Sequence, residues 1–150
     1  YYLCEGEQTV SFWVPLDYIP RDRSIEYIAG SHAWDKNFKP QRFDGSDLFE
    51  GDKSEVVPDV DTMRDQFNII GWEMEPGDAV AFHFRTLHGA PANSSKSRRR
   101  VISIRWVGDD ATFVKRLGPT SPSFPELTFE DGEPFAGEDF PILFVKNKIE

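Results

Sequence analysis

At 150 residues the chain is long enough for one compact domain that buries roughly 70% of its unfolded surface. Charged residues at 29%, hydrophobic residues at 39%, and 13 Phe with 4 Trp are globular values and exclude a disordered chain. The excess of 26 acidic over 17 basic residues gives a net charge of -9, which repels polyanions; nucleic acid is therefore not an expected partner.

Strand signals then dominate the chain. In Thr9 to Leu16 the apolar set Val10, Phe12, Val14 and Leu16 falls on one face, with Thr9, Ser11 and Trp13 on the other. A second strand is predicted near Ile25 to Ile28. The stretch 33–66 breaks the rhythm: it is acidic and polar, with a weak helix signal only at Asp61 to Phe67, and its length suits a lid or binding loop. A third strand is predicted at about Asn68 to Trp72. The turn Glu75-Pro76-Gly77-Asp78 follows, since Pro presets φ and Gly tolerates positive φ, and then a fourth strand at Ala79 to Phe84. The fifth, Arg99 to Val107, sets Arg99, Val101, Ser103, Arg105 and Val107 against Arg100, Ile102, Ile104 and Trp106. From about 118 to 150, Pro119, Pro122, Pro125, Pro134 and Pro141 alternate with Phe124, Phe129, Phe135, Phe140 and Phe144, the composition of an extended wrapping tail pinned by aromatic anchors. Short strands, turns and little helix argue for a mainly β antiparallel sandwich or barrel.

The single Cys4 allows no internal disulfide and fits a reducing cytoplasm. No apolar stretch approaches the ~20 residues that span a bilayer, and no signal-peptide pattern precedes the first strand, so no membrane association is expected. The chain begins at Tyr1 without Met, and an omitted N-terminal part is the expectation.

His88 stands where the fourth strand has ended and a Gly-containing loop begins, a rim position from which an imidazole can reach a site. Taken alone, it reads more simply as an ordinary surface or hydrogen-bonded histidine than as a ligand. Arg99, eleven residues on, opens the next strand on its less apolar face. A guanidinium directed into a barrel needs a carboxylate, and a small diacid would supply one. The plainer reading is that Arg98, Arg99 and Arg100 form a solvated basic edge that blunts aggregation.

Five segments carry a more specific signal: Trp13-Val14-Pro15-Leu16-Asp17, Ile28-Ala29-Gly30-Ser31-His32, Glu75 to His83, His88-Gly89-Ala90-Pro91-Ala92-Asn93, and Arg99-Arg100-Val101-Ile102-Ser103. In this order and spacing they resemble the second half of the phytanoyl-CoA dioxygenase family, over about residues 9 to 108. The resemblance implies a double-stranded β-helix (a jelly-roll, cupin-like barrel) as one domain over 1–150, N-terminally truncated, with a lid at about 33–66 and a tail at about 118–150. It further implies Fe(II) held by two His and one carboxylate, with 2-oxoglutarate and O2 taking the open positions. By position, His88 is then the distal iron ligand, Arg99 the partner of the far carboxylate of 2-oxoglutarate, and Trp13 a wall of the cosubstrate pocket. His83 and His32 are candidate substrate contacts, although His32 could equally shape the rim and His83 could be solvated.

Two departures accompany the resemblance. Some relatives carry a hydroxyl two residues after the distal His, where Ala90 stands here. The family's His-x-Asp motif is absent, because His32, His83 and His88 are followed two residues later by Trp34, Arg85 and Ala90. The resemblance places that motif upstream of Tyr1, so the chain by itself is expected to bind iron poorly and to be inactive. In the family, N-terminal helices cover the outer sheet face, and here Phe12, Val14, Ile102, Ile104 and Trp106 would be left to drive self-association. The implied activity is oxidation, most simply hydroxylation, of a small organic molecule; the family's compounds differ too widely to name one. A different class of function, a catalytically silent barrel that binds a small carboxylate or sugar or serves as an interaction module, remains the alternative. A serine hydrolase is disfavoured, since Gly30-Ser31-His32 lacks the Gly-x-Ser-x-Gly elbow.

Overall fold

The computed structural model describes residues 2–42, 46–49, 51–116, 124 and 126–145. The chain divides into two compact units, Thr9–Trp106 and a second formed by Tyr1–Gln8 with Val107–Glu150. Among the described residues the strands are β1 (Cys4–Glu5), β2 (Thr9–Pro15), β3 (Glu26–Ile28), β4 (Ile69–Ile70), β5 (Val80–Phe82), β6 (His88–Gly89), β7 (Val101–Val107) and β8 (Thr112–Phe113). Helical structure amounts to single 3-10 turns at Arg21–Arg23, Ser31–Ala33 and Arg64–Gln66. The helix signal at 61–67 thus resolves to one short turn, which Met63 opens without a side-chain cap.

In the larger unit one sheet has the order β5-β2-β7 and the other β4-β3-β6. Apart from β3 and β4, which pair with each other, successive strands from β2 to β7 switch between the two sheets, the wiring of a double-stranded β-helix, as expected. Register fixes the faces. Ser11 pairs with Phe82 and Trp13 with Val80 in one sheet, while Tyr27 pairs with both Ile70 and His88 in the other. Directly opposed residues share a face, so Trp13, Ser11, Val80 and Phe82 lie on one side of the first sheet. The Phe82 ring meets the rings of Tyr27 and His88 at centroid distances of 4.8 Å each, which makes these the inner faces of the pair of sheets.

The inner face of β2 is the polar one. Thr9, Ser11 and Pro15 are buried, whereas Val10, Phe12 and Val14 are only half-buried and Leu16 is exposed. Across the sheet, Ile102, Ile104 and Trp106 of β7 are 41–47% exposed, and Trp106 packs edge-on against Phe12 at 5.5 Å. The apolar core of this unit sits instead around β3, in Ile19, Ile25, Tyr27, Ile28 and Met74, and the Ile19–Met74 bridge closes it. At the far end of β2, Leu16 N–H donates to the Arg100 carbonyl at 2.9 Å.

The 33–66 stretch has internal order. Bridges join Phe38 to Glu55 and Gln41 to Asp47, and Lys36–Glu55 (2.7 Å) and Lys39–Asp47 (2.6 Å) pair across it. Residues 43–45 and 50 of this stretch lie outside the described residues. Trp34 contacts Phe38 and Phe67, and these three rings with Met63 and Val56 line a hollow of about 440 Å³. Arg64, at the far end of the insertion, grips the Glu26 carboxylate of β3 through two nitrogens at 2.9 and 3.0 Å, and Arg21 adds a third contact at 3.0 Å. These contacts, with Arg64 foremost, hold the Glu26 carboxyl below its ordinary range.

In the smaller unit β1 pairs with β8, Cys4 opposite Phe113, and the Asp110 carboxylate accepts the N–H groups of Glu7 and Gln8. Phe113, Phe129, Phe135, Phe140 and Phe124 form a chain of ring contacts. Phe144 takes no part and is 81% exposed. Pro119, Pro122 and Pro125 of the expected tail lie outside the described residues.

Candidate metal and cosubstrate site

His88 is placed by a short chain of backbone and hydroxyl contacts. After β3 the chain reverses at Gly30, whose φ of 82° is cheap only for glycine. Ser31 follows, fully buried: its Oγ–H donates to the Ile28 carbonyl at 2.8 Å and its Oγ accepts the Leu87 N–H at 2.8 Å. Ile28 N–H donates to the Leu87 carbonyl at 3.0 Å. Leu87 is thereby tied to the turn, and His88 emerges next, opposite Tyr27, at an exposed position on the rim.

The protonation of the His88 ring follows from its partner. Nδ1 lies 2.8 Å from the Thr86 carbonyl, which can only accept, so Nδ1 carries the hydrogen and Nε2 keeps its lone pair. A backbone carbonyl fixing the remote ring nitrogen in this way is the usual support of a metal-ligating histidine. His83 is held in the opposite tautomer. Its Nδ1 accepts the Arg85 N–H at 3.1 Å, so Nε2–H donates to Thr9 Oγ1 at 3.2 Å. His83 also stacks near the exposed His32, with centroids 5.6 Å apart, so the structure brings these two residues together.

The three consecutive arginines part company. Arg100 is engaged by Asp17: its backbone N–H and Nε reach Oδ2 at 2.9 and 3.0 Å, and Nη2 reaches Oδ1 at 2.8 Å. The hydrogen bonds from the Arg100 side chain, then its backbone, hold the Asp17 carboxyl down at about 2. Arg99 precedes β7 rather than opening it, and its half-buried guanidinium donates through Nη1 to the carbonyls of Arg23 (2.9 Å) and Pro91 (2.8 Å). Among the described residues no carboxylate pairs with it, so none of them compensates its charge. Neither a hydrogen bond nor a ring contact joins Arg99 or Trp13 to His88.

Tyr27 was not singled out by sequence reasoning. It is 3% exposed, with its ring 4.8 Å from Phe82, 6.1 Å from His88 and 6.3 Å from Trp72. Burial pushes its phenol pKa well up, so the hydroxyl stays protonated. That hydroxyl has no hydrogen-bond partner among the described residues, a situation that costs roughly 1–3 kcal/mol. No sequence signal marks it, because an inward Tyr in a short strand reads as ordinary core.

The donor set can be compared with what a facial triad requires. His88 suits one position by tautomer and exposure, and Arg99 suits a bound carboxylate by charge. No group of three His, Cys, Asp or Glu side chains able to hold a metal occurs among the described residues. The residues present therefore fit part of an iron and 2-oxoacid site, with one metal donor. A hollow of about 400 Å³ bordered by Trp72, Met74 and Val80 includes neither His88 nor Arg99.

Two facing antiparallel sheets with a ligand-ready histidine at the rim define a barrel of the class that carries metal-dependent oxygenases. The chain belongs to the phytanoyl-CoA dioxygenase (PhyH) family, whose model matches residues 1–101. It is 35% identical over 75 residues to a probable phytanoyl-CoA dioxygenase of Caenorhabditis elegans, covering 49% of this chain and 23% of that protein. Among solved structures, the non-haem α-ketoglutarate-dependent carbocyclase SnoK of nogalamycin biosynthesis matches with a TM-score of 0.64 and 28% identity, over 93% of this chain and 51% of that one. The epimerase SnoN from the same biosynthesis shares the fold at a TM-score of 0.64 and 22% identity, over 99% of this chain and 53% of that one. The chain thus spans about half the length of these structures and under a quarter of the curated relative. No helix among the described residues is long and apolar enough to cross a membrane.

Proposed function

We propose that the whole protein containing this chain is an Fe(II)- and 2-oxoglutarate-dependent dioxygenase that oxidises, most simply hydroxylates, a small organic molecule. The observation that carries this reading is the His88 ring, whose Nδ1–H is committed to the Thr86 carbonyl and whose Nε2 is left as a donor atom at the inner rim. When bound, the iron would supply the oxidising chemistry, with O2 and 2-oxoglutarate as co-reactants.

The chain's own residues bind and orient. His88 offers Nε2 to the metal. Arg99 binds the far carboxylate of 2-oxoglutarate, which gives its uncompensated charge a partner. Trp13 and Phe82 wall the inner face and exclude water, while His83 and His32 face the substrate at the rim. The 33–66 insertion, tied back to β3 by Arg64, closes over the site as a lid. With one His to offer, these 150 residues are expected to hold iron poorly and to be inactive alone. The remaining His and Asp ligands would come from a His-x-Asp motif elsewhere in the whole protein. A reducing compartment such as the cytoplasm suits the single free Cys4. The outer apolar face of β2 and β7 is the surface through which the chain would self-associate.

The test is made on the full-length protein. Arg99→Ala should raise the 2-oxoglutarate concentration for half-maximal turnover by about 10- to 100-fold, the loss expected for one charged hydrogen-bonded contact, with little change in the iron requirement. His88→Ala should abolish iron binding. Equal effects of Arg99→Ala on both requirements would contradict its role. An unchanged iron affinity in His88→Ala would favour the silent-barrel reading, to which the lack of a three-ligand group among the described residues also points.

A further inference from the structure

We infer that the Tyr27 hydroxyl donates a hydrogen bond to a carboxylate oxygen of the 2-oxoacid cosubstrate, making Tyr27 a cosubstrate-binding residue; the inference rests on the proposed role of His88. Tyr27 lies directly opposite His88 in the β3–β6 pair, and their rings share the inner face with Phe82 between the sheets. The residue is 3% exposed, yet its hydroxyl meets no acceptor among the described residues. A phenylalanine would make the same ring contacts without that penalty, so packing gives no account of the oxygen. Buried tyrosine hydroxyls normally find a partner, and this one belongs to a ring whose centroid lies 6.1 Å from that of the histidine proposed to hold the metal.

The chemistry of the missing partner follows from the phenol itself: a buried O–H without an acceptor offers a donor, and the strongest acceptor for it is an ionised oxygen. A 2-oxoacid held at a metal on His88 would carry such ionised oxygens to this inner face, and Ala90, two residues after His88, offers no hydroxyl of its own.

Tyr27→Phe in the full-length protein removes the oxygen and leaves the ring. Two readouts are needed. Without ligand, thermal melting should be unchanged or slightly raised, since no protein hydrogen bond is lost. In the anaerobic Fe(II)-loaded protein, calorimetric titration should show 2-oxoglutarate binding about 10-fold more weakly than in the parent, equivalent to about 1.4 kcal/mol. Pyruvate titrated in parallel locates the contact: weakening of both ligands places it at the metal-bound carboxylate, and weakening of 2-oxoglutarate alone places it at the far one. Either result supports the inference. Affinities within twofold of the parent for both ligands would overturn it, and so would a ligand-free variant that melts several degrees lower, which would mean the hydroxyl already has a partner in the protein. If the parent binds neither Fe(II) nor 2-oxoglutarate, the dioxygenase reading fails and Tyr27 with it. If the parent binds both and Tyr27→Phe binds equally well, only the Tyr27 assignment falls.

Discussion

Ser31→Ala tests the link between local structure and the candidate site, because one hydroxyl there, anchored on Ile28 O, joins the Gly30 turn to the segment carrying His88 beside the backbone bond from Ile28 N–H to the Leu87 carbonyl. Its Oγ–H donates to Ile28 O and its Oγ accepts Leu87 N–H, each at 2.8 Å, and Ser31 is 3% exposed, so water does not replace it easily. Alanine fits the space but leaves the Leu87 N–H without its acceptor. An orphaned buried donor costs roughly 1–3 kcal/mol, and the lost bond to Ile28 O adds a fraction more, so about 2–3 kcal/mol is expected in total. For a chain of 150 residues each kcal/mol lowers Tm by about 2–4 °C, which predicts a drop of about 4–12 °C by scanning calorimetry. The denaturant m-value should stay constant, since the folded state remains as compact. In the full-length protein the same variant should weaken iron binding. Ile19→Val, a core change elsewhere, should lower Tm without touching the metal affinity. A Ser31→Ala protein melting within about 1 °C of its parent would refute the argument that this hydroxyl holds the His88 segment in place.

Asp17 supplies a pH prediction whose sign follows from its depressed pKa. The folded carboxyl titrates at about 2 against an ordinary 3.8, so its stabilisation is complete above about pH 4 and is lost as pH falls towards 2. The Tm difference between the parent and Asp17→Asn should therefore be flat from pH 7 to about 5 and shrink between about 4 and 2. Added salt should reduce it throughout, because the pair with Arg100 is solvent-exposed. A difference independent of pH would assign the loss to packing instead. For the outer sheet face, light scattering of this chain at high concentration should show self-association, and Ile104→Lys, at a position 41% exposed, should reduce it; a clean monomer for the parent chain would remove the proposal.

The strands legible in the sequence were those with enough length for alternation to show. β2 and β7 each span seven residues, and both fall inside their predicted ranges. β1, β6 and β8 have two residues each, and a period of two cannot be detected in two residues; their pairing is decided by partners distant in the chain. The same limit hid half of the site. His88 could be read because a histidine at a strand end beside glycine is conspicuous, and Arg99 because it precedes a strand. Nothing local announced that Arg100 would take Asp17, 83 residues away, and so leave Arg99 without a carboxylate. Tyr27 was invisible for a different reason: a tyrosine hydroxyl looks satisfied until its surroundings are known.

The burial of β2 shows why function and stability occupy different places in this unit. An amphipathic strand normally turns its apolar side chains to the core, yet β2 buries Thr9 and Ser11 and leaves Phe12 and Val14 half in solvent. The polar side is the inner one: Ser11 shares its face with its β5 partner Phe82, whose ring meets Tyr27 and His88 of the other sheet. The hydrophobic core sits instead at Ile19, Ile25, Ile28 and Met74 beside β3, which leaves the inner face of β2 free for the polar ligands of the proposed function. β3 then serves both ends: Ile28 packs inside that core and receives the Ser31 hydroxyl, while Tyr27, one residue earlier, stands opposite His88. A substitution that shifts β3 should damage folding and metal binding together, whereas one confined to the Tyr27 oxygen should separate them.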